Sequence, residues 1–200
     1  MPELVSLDVA DEPGLWEELG FAVERATCFV GGIGHRLGRP GRGVVAWTLR
    51  QAHGFGELPE GGDEGVGAPP HRRHRNGVIG LDHIVVATPD LHRTIAAFEL
   101  SGMPLLRTRE TGTPDDPLRQ AFFKVGQVVV EVVGTPTEPS PGEARIWGLT
   151  YTVGDLDATA DFLGPRLRPV KVAVQPGRRI ATLDRSFGST VPIAFMSAKL

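Results

Sequence analysis

The sequence predicts an α+β fold built from repeated β-α-β-β-β units, and three observations carry that prediction. The apolar run Gly80 to Leu91, GLDHIVVATPDL, passes through a short turn to an Asp suited to cap a helix, and a weaker copy, WGLTYTVGDL, recurs at Trp147 to Leu156. The copies stand about 65 residues apart, a spacing that marks repeated supersecondary units. Each continues in the same order, a helix and then three strands. Two halves built alike imply a cleft between them. Only the first half carries polar strand residues suited to a metal, His83 and Glu131.

The first unit reads as a strand at Ile79 to Ala87 and a helix at Asp90 to Ser101, with Leu91, Ile95, Phe98 and Leu100 on its apolar side and Gly102 at its end. Leu105 to Arg109 continues as a strand. After a Gly, Pro and Asp loop at Thr111 to Pro117, Gln120 to Val125 and Val128 to Val133 form a hairpin about Gly126-Gln127. Beyond a Pro-rich connector the order returns: a strand at Ile146 to Val153, a helix at Asp155 to Leu163 closed by Gly164-Pro165, and strands at Val170 to Val174, Arg179 to Asp184 and Val191 to Met196. Pro192 suggests that the last strand begins at an edge or a bulge.

A third, abbreviated unit occupies residues 1–53. Leu4 to Val9 reads as a strand, Asp11 or Glu12 opens a short helix with Pro13 in its first turn, and Gly20 ends it. Strands at Phe21 to Val30, Ile33 to Leu37 and Val44 to Leu49 follow, the last resembling the closing strand VPIAFM. Residues 54–77 read as a flexible, exposed linker: Glu57, Glu60, Asp63 and Glu64 lie among glycines, and Pro69-Pro70 leads into HRRHR. The arginines beside His71 and His74 repel a cation, so those histidines read as solvated. Residues 78–200 form the main domain, with modules at 78–135 and 145–200.

A chain of 200 residues can bury a real core. Its net charge of -3 gives no basic surplus for nucleic acid, and its cations are chiefly arginine. The single cysteine, Cys28, has no disulfide partner within the chain and lies in the apolar run TCFV, where a buried thiol is expected. No stretch approaches the ~18–20 apolar residues of a membrane span, and a start carrying Glu3 and Asp8 is unlike a secretory signal. A cytoplasmic protein is expected, with neither membrane nor nucleic acid as partner.

The order of the two units, together with LDHIVV followed by PDL, then FFKVG and VVVEVV, resembles the vicinal oxygen chelate superfamily. That group includes glyoxalase I, the extradiol dioxygenases, methylmalonyl-CoA epimerase and the bleomycin-type resistance proteins. The resemblance covers about Val78 to Lys199 and, more weakly, Pro2 to Arg50. It implies that eight strands of paired modules curl into a cup that holds the ligand, with metal ligands, where present, on the first and last strands of both modules. His83 and Glu131 match the first module's positions. Gly148 and Ala194 stand at the second module's, and neither can ligate through a side chain. The metal site is therefore expected to be incomplete, holding a divalent ion weakly if at all.

Strand alternation sets Ile84, Val86, Val130 and Val132 on the faces opposite His83 and Glu131, so that both polar groups point into the cup once the aliphatics lie under the helices. Phe122, Trp147, Leu149, Tyr151 and Phe195 are expected as its apolar wall, and Arg178 and Arg179 as anion grips at its rim. The expected function is binding of a small organic ligand in the cup. The alternatives are a divalent-metal-dependent lyase, isomerase or dioxygenase using His83 and Glu131, and a drug-sequestering resistance-type protein. Modules of this fold work in pairs, so the third is expected to find its partner in a symmetric homodimer.

Overall fold

The structure, a computed structural model, describes residues 1–52, 55–62, 72–137 and 139–199. The N-terminal unit holds β1 (Glu3–Val9), α1 (Pro13–Glu18), β2 (Val23–Glu24), β3 (Thr27–Val30), β4 (Ile33–Arg36) and β5 (Val44–Arg50). Its sheet runs β2-β3-β4-β1-β5, with β1 parallel to β4 and antiparallel to β5. The closing strand of this unit is thus β4, not the Val44 to Leu49 strand expected from sequence. The run Phe21 to Val30 is not one strand either. It breaks at Arg25 and Ala26, whose φ angles of 48° and 58° make the left-handed pair that joins two twisted strands tightly.

The second sheet holds β6 (Val78–Ala87), β7 (Arg107–Gly112), β8 (Pro117–Val125) and β9 (Val128–Gly134) from the first half. From the second half come β10 (Arg145–Val153), β11 (Lys171–Val172), β12 (Arg179–Thr182) and β13 (Ile193–Ser197). Helices α2 (Leu91–Leu100) and α3 (Leu156–Leu163) follow the first strand of each half. The shared signature works as a cap: the Asp90 carboxylate accepts from Arg93 N at 2.9 Å, and Asp155 accepts from Asp157 N and Ala158 N at 2.9 and 3.0 Å. Leu91 and Phe98 are buried, but Leu100 is 83 % exposed, so α2 has a narrower apolar stripe than expected.

Eight strands run β11-β12-β13-β10-β6-β9-β8-β7, a curled mixed sheet. Each half pairs its first and last strands in parallel, and β6 joins β10 antiparallel at the centre. Pro192 lies just before β13, an interior strand, and its carbonyl accepts from Leu149 N at 2.9 Å.

One face of this sheet is a dry core. Ile84, Val86, Val130 and Val132 are fully buried there, and Phe98 of α2 stacks on Phe123 at 4.5 Å. The N-terminal unit packs on the same face. Trp16 meets Tyr151 edge-on at 6.2 Å, Phe21 lies 5.1 Å from Tyr151 and 6.3 Å from Phe195, and Trp47 lies 6.1 Å from Phe98. Polar bonds fix the contact. Asp11 accepts from Trp16 Nε1, Ser189 Oγ, Thr190 N and Thr190 Oγ1 at 3.3, 2.7, 2.7 and 2.6 Å. Gly20, at φ +85°, lets the backbones close: an added Cβ would sit 2.6 Å from the Phe162 ring and 2.9 Å from Asn76 N.

Two sequence expectations are corrected here. The third unit buries its helix-bearing face against its own chain, so a second subunit is not needed to cover it. Within the expected linker, Phe55 and Leu58 are buried, Phe55 packing 4.6 Å from Phe98, because β5 offers a free edge: Trp47 N donates to Pro59 O, and Gly61 N to Trp47 O. His74 is also tied in, its ring accepting from Ala22 N at 3.0 Å. His71, Asp63 and Glu64 lie outside the described residues.

Candidate functional site on the open face of the eight-stranded sheet

The face opposite the helices carries the chemistry. Register sets His83 beside Val129 and Val85 beside Glu131 in the parallel pair β6 and β9, so His83 and Glu131 share this face two positions apart. Phe122 pairs with Glu131, and Arg107 with Phe122, which continues the same face outward through β8 to β7. A β-bulge adds a further group. Thr150 pairs with His83 and Tyr151 with Leu81, leaving Asp82 unpaired and its carboxylate turned toward His83.

Two hydrogen-bonded strings result. In the first, Arg178 Nη2 binds Asp82 Oδ2 at 2.6 Å, Thr152 Oγ1 donates to the same oxygen at 3.0 Å, and His83 Nδ1 donates to Asp82 Oδ1 at 2.9 Å. Arg178 is itself held by Ser197 O at 2.7 Å. With Nδ1 engaged, Nε2 is the His83 nitrogen available to a ligand. In the second string, Arg109 Nε donates to Gln120 Oε1 at 2.6 Å and Gln120 Nε2 donates to Glu131 Oε1. The Arg107 guanidinium lies 3.8 Å over the Phe122 ring, within cation–π range.

The two carboxyls are tuned in opposite directions. Burial alone would raise Asp82, but hydrogen bonds from His83, Arg178 and Thr152, with the Arg178 charge, hold it well below the usual carboxylate range. Burial raises Glu131 above its ordinary value, against the attraction of His83, Arg109 and Arg107. Asp82 is thus a fixed anion that orients an imidazole, and Glu131 is a carboxylate more ready to hold a proton.

The sequence-expected site residues divide. His83, Phe122 and Glu131 lie together on the open face, and Arg178 reaches it through Asp82. Tyr151 and Phe195, both 0 % exposed, and Leu149 lie on the opposite face under the N-terminal unit, so they are core and not cup wall. Strand alternation from Gly148 and Ala194, which stand at the second module's ligand positions, already turns all three to that face. Arg179 is engaged outside the site, with Nη1 and Nη2 bonding Asp157 at 2.9 and 2.7 Å. Trp147 sits at a second bulge, between the pairs Ile146–Val86 and Gly148–Val85, and is 41 % exposed toward a different cleft. Asp82, Gln120, Arg107 and Arg109 were missed, although Arg107, Arg109, Gln120 and Phe122 follow period-two spacing that shared-face reasoning reaches.

The donor set does not fit a tightly held divalent ion. The pairs Val85–Gly148 and His83–Thr150 exchange under the two-fold relation of the halves, which sets Gly148 in the place of His83. Ala194, beside Thr150, likewise takes the place of Glu131, beside Val85. Among the described residues no three His, Cys, Asp or Glu side chains are grouped to hold a metal ion. Two protein donors, one already accepting from Gln120, give too little simultaneous coordination.

No curated protein matches the chain in sequence. Among solved structures, methylmalonyl-CoA epimerase from Mycobacterium tuberculosis is 23 % identical with a TM-score of 0.50, covering 65 % of this chain and 95 % of its own. A hypothetical protein from Bacillus halodurans C-125 is 20 % identical at TM-score 0.45, covering 60 % and 94 %. A Streptomyces coelicolor methylmalonyl-CoA epimerase in complex with 2-nitronate-propionyl-CoA is 20 % identical at 0.47, covering 60 % and 95 %. At these identities the likeness to the first structure is one of fold. The family model of the Glyoxalase/Bleomycin resistance protein/Dioxygenase superfamily matches residues 67–187, more than half of the chain. With that match and two β-α-β-β-β halves closing one curled sheet, the chain belongs to the Glyoxalase/Bleomycin resistance protein/Dioxygenase superfamily.

Proposed function

We propose that the protein binds a small organic anion on the open face of its eight-stranded sheet, with His83 and Glu131 at the floor and Arg107 and Arg109 as counter-charges. The observation that supports this reading is the convergence of the two hydrogen-bonded strings, one ending in the His83 imidazole and the other in the Glu131 carboxylate. Preorganised polar groups of this kind fix a ligand's orientation at little entropic cost. A second reading, proton exchange with the bound ligand, is favoured by the raised Glu131 carboxyl beside an imidazole. NMR-detected deuterium uptake by the ligand from D2O separates turnover from binding alone.

The test is a thermal-shift and calorimetric panel of small carboxylates and phosphate esters on the intact chain. At least one anion is expected to raise the melting temperature, and Glu131→Gln and Arg109→Ala each to change its affinity by about tenfold or more. Ligand-free Glu131→Gln should be as stable as the parent near neutral pH or slightly more so. The raised carboxyl means that the charged form costs stability above the ordinary carboxylate range, and glutamine removes that cost. A loss of roughly 3 kcal/mol or more, the scale of a broken buried pair, would mark Glu131 as structural and sink the reading.

Metal content separates this reading from the metal-dependent alternative. Protein purified without chelator or histidine tag is expected to carry far less than one divalent ion per chain and to lose it on dialysis. A stoichiometric ion retained through dialysis would overturn the donor-set argument.

A further inference from the structure

A second cleft, of about 400 Å³, lies away from the His83 and Glu131 floor, between the N-terminal unit and the second half of the sheet. One wall is the segment Arg42 to Val44, just before and into β5. The other is formed by Arg145 and Trp147 of β10 with residues 183–185 and 189–192. Its base is sewn together across the two parts. Thr190 Oγ1 donates to Asp11 at 2.6 Å and accepts from Gly43 N at 2.9 Å, and Ser189 Oγ donates to the same Asp11 carboxylate at 2.7 Å. The walls are therefore fixed before any ligand arrives, which lowers the cost of binding.

Charge and shape then narrow the occupant. Arg42, Arg145 and Arg185 line the cleft, and among the described residues none has an ion-pair or hydrogen-bond partner from its guanidinium. The carboxylate in the lining, Asp184, is already taken by Ser186 N at 3.0 Å and Arg168 at 3.4 Å. Three guanidinium groups thus stand against Asp11 at the base and the Arg168-paired Asp184, a local positive excess at one concave point of a chain whose net charge is -3. Trp147 adds a flat apolar surface. Trp16 and Trp47 are fully buried, whereas the bulge that leaves Trp147 unpaired turns its indole outward into this cleft. Guanidinium groups bind carboxylate and phosphate oxygens bidentately, and an exposed indole stacks on a planar ring. A cation is repelled here, and a neutral apolar ligand would desolvate arginines without compensation.

We propose that this cleft is a binding site for an aromatic anion, a flat ring that carries a phosphate or carboxylate group, with Trp147 against the ring and Arg42, Arg145 and Arg185 on the anionic group. It is independent of the open-face site, and the two can be occupied together. Calorimetry on the intact chain with adenosine 5′-monophosphate and 4-hydroxybenzoate tests the nucleotide and aryl-carboxylate sources; adenosine and inorganic phosphate supply ring and anion alone. One of the two ring anions is expected to bind saturably, about tenfold or more tightly than adenosine or phosphate, with affinity falling as salt rises. Trp147→Ala and Arg145→Ala should each weaken it about tenfold, while Glu131→Gln leaves it unchanged. Both substituted positions are exposed, so folding should be unaffected. Failure of both ring anions to bind at millimolar concentration, equal binding by inorganic phosphate, or loss of binding in Glu131→Gln but not in Trp147→Ala would each overturn the proposal.

Discussion

Removing residues 1–53 is expected to leave residues 54–200 insoluble or unfolded. The N-terminal unit covers Tyr151, Phe195 and Phe98 on the helix-bearing face of the large sheet, all of them fully buried in the intact chain. Uncovering large apolar side chains costs roughly 1.5–3 kcal/mol each, so the loss approaches the whole 5–15 kcal/mol margin of a typical domain. The hydrogen bonds of Asp11 to Ser189 and Thr190 and of His74 to Ala22 are lost with it. The measurement is soluble yield, solution mass and urea midpoint of the fragment beside the intact chain. A soluble fragment with the parent's midpoint would show that the aromatic contact contributes nothing. Trp16→Ala in the intact chain is the milder version, with an expected cost of about 3–5 kcal/mol for a fully buried tryptophan.

That dependence was only half legible in the sequence. The repeated caps Asp90 and Asp155, the order of elements and the alternation that puts His83 and Glu131 on one face are local properties, and local properties survive translation into sequence patterns. Which surface the third unit covers is set by long-range packing, and no short window shows it. Tyr151 and Phe195 alternate with Thr150 and Ala194 of the open face, so alternation sets them on the core face, but the layer of aromatic rings that covers them there comes from the distant N-terminal unit. Bulges at Asp82 and Trp147 each insert one unpaired residue and so re-aim a side chain that strict alternation assigns to the other direction. The loop Phe55 to Leu58 reads as linker by composition, and two apolar residues suffice to dock it because a strand edge and an aromatic slot are waiting. Asp82 was not anticipated, and Trp147 was expected in the cup wall, for one reason: the direction of each side chain depends on a register slip, not on its neighbours in sequence.

The protein should lose stability on acidification from about pH 6.5 to about 4, with His35 as the principal cause. His35 is fully buried where β4 meets the main sheet, its ring 5.7 Å from Tyr151 and 5.4 Å from Trp16, with Nδ1 donating to Ile33 O at 3.1 Å. Among the described residues Nε2 has no hydrogen-bond partner, and neither does the Tyr151 hydroxyl. Burial disfavours the imidazolium and lowers His35 from 6.5 to about 4, against the hydrogen bond to Ile33 O and the pull of the Cys28 backbone, and with a small further push from His74. The neighbouring groups do not rescue the charge. Burial pushes the Cys28 thiol up to about 12, burial likewise raises the Tyr151 hydroxyl, and Asp11 is already saturated by Trp16, Ser189 and Thr190. Because the folded-state value is depressed, the unfolded chain binds the extra proton between these limits, and stability rises with pH through the window and is flat above it. At 1.36 kcal/mol per pH unit, the displacement amounts to about 3 kcal/mol lost by pH 4. His74, half-buried and also lowered, adds to the same trend. Urea midpoints measured across this range should fall for the parent and fall much less for His35→Leu, which removes the principal titrating group while filling the site and leaves only the smaller His74 contribution. Should that variant fold poorly, the NMR titration of the His35 ring in the parent decides the matter: a midpoint near 6.5 in the folded protein would show that the junction tolerates the charge and that acid lability arises elsewhere.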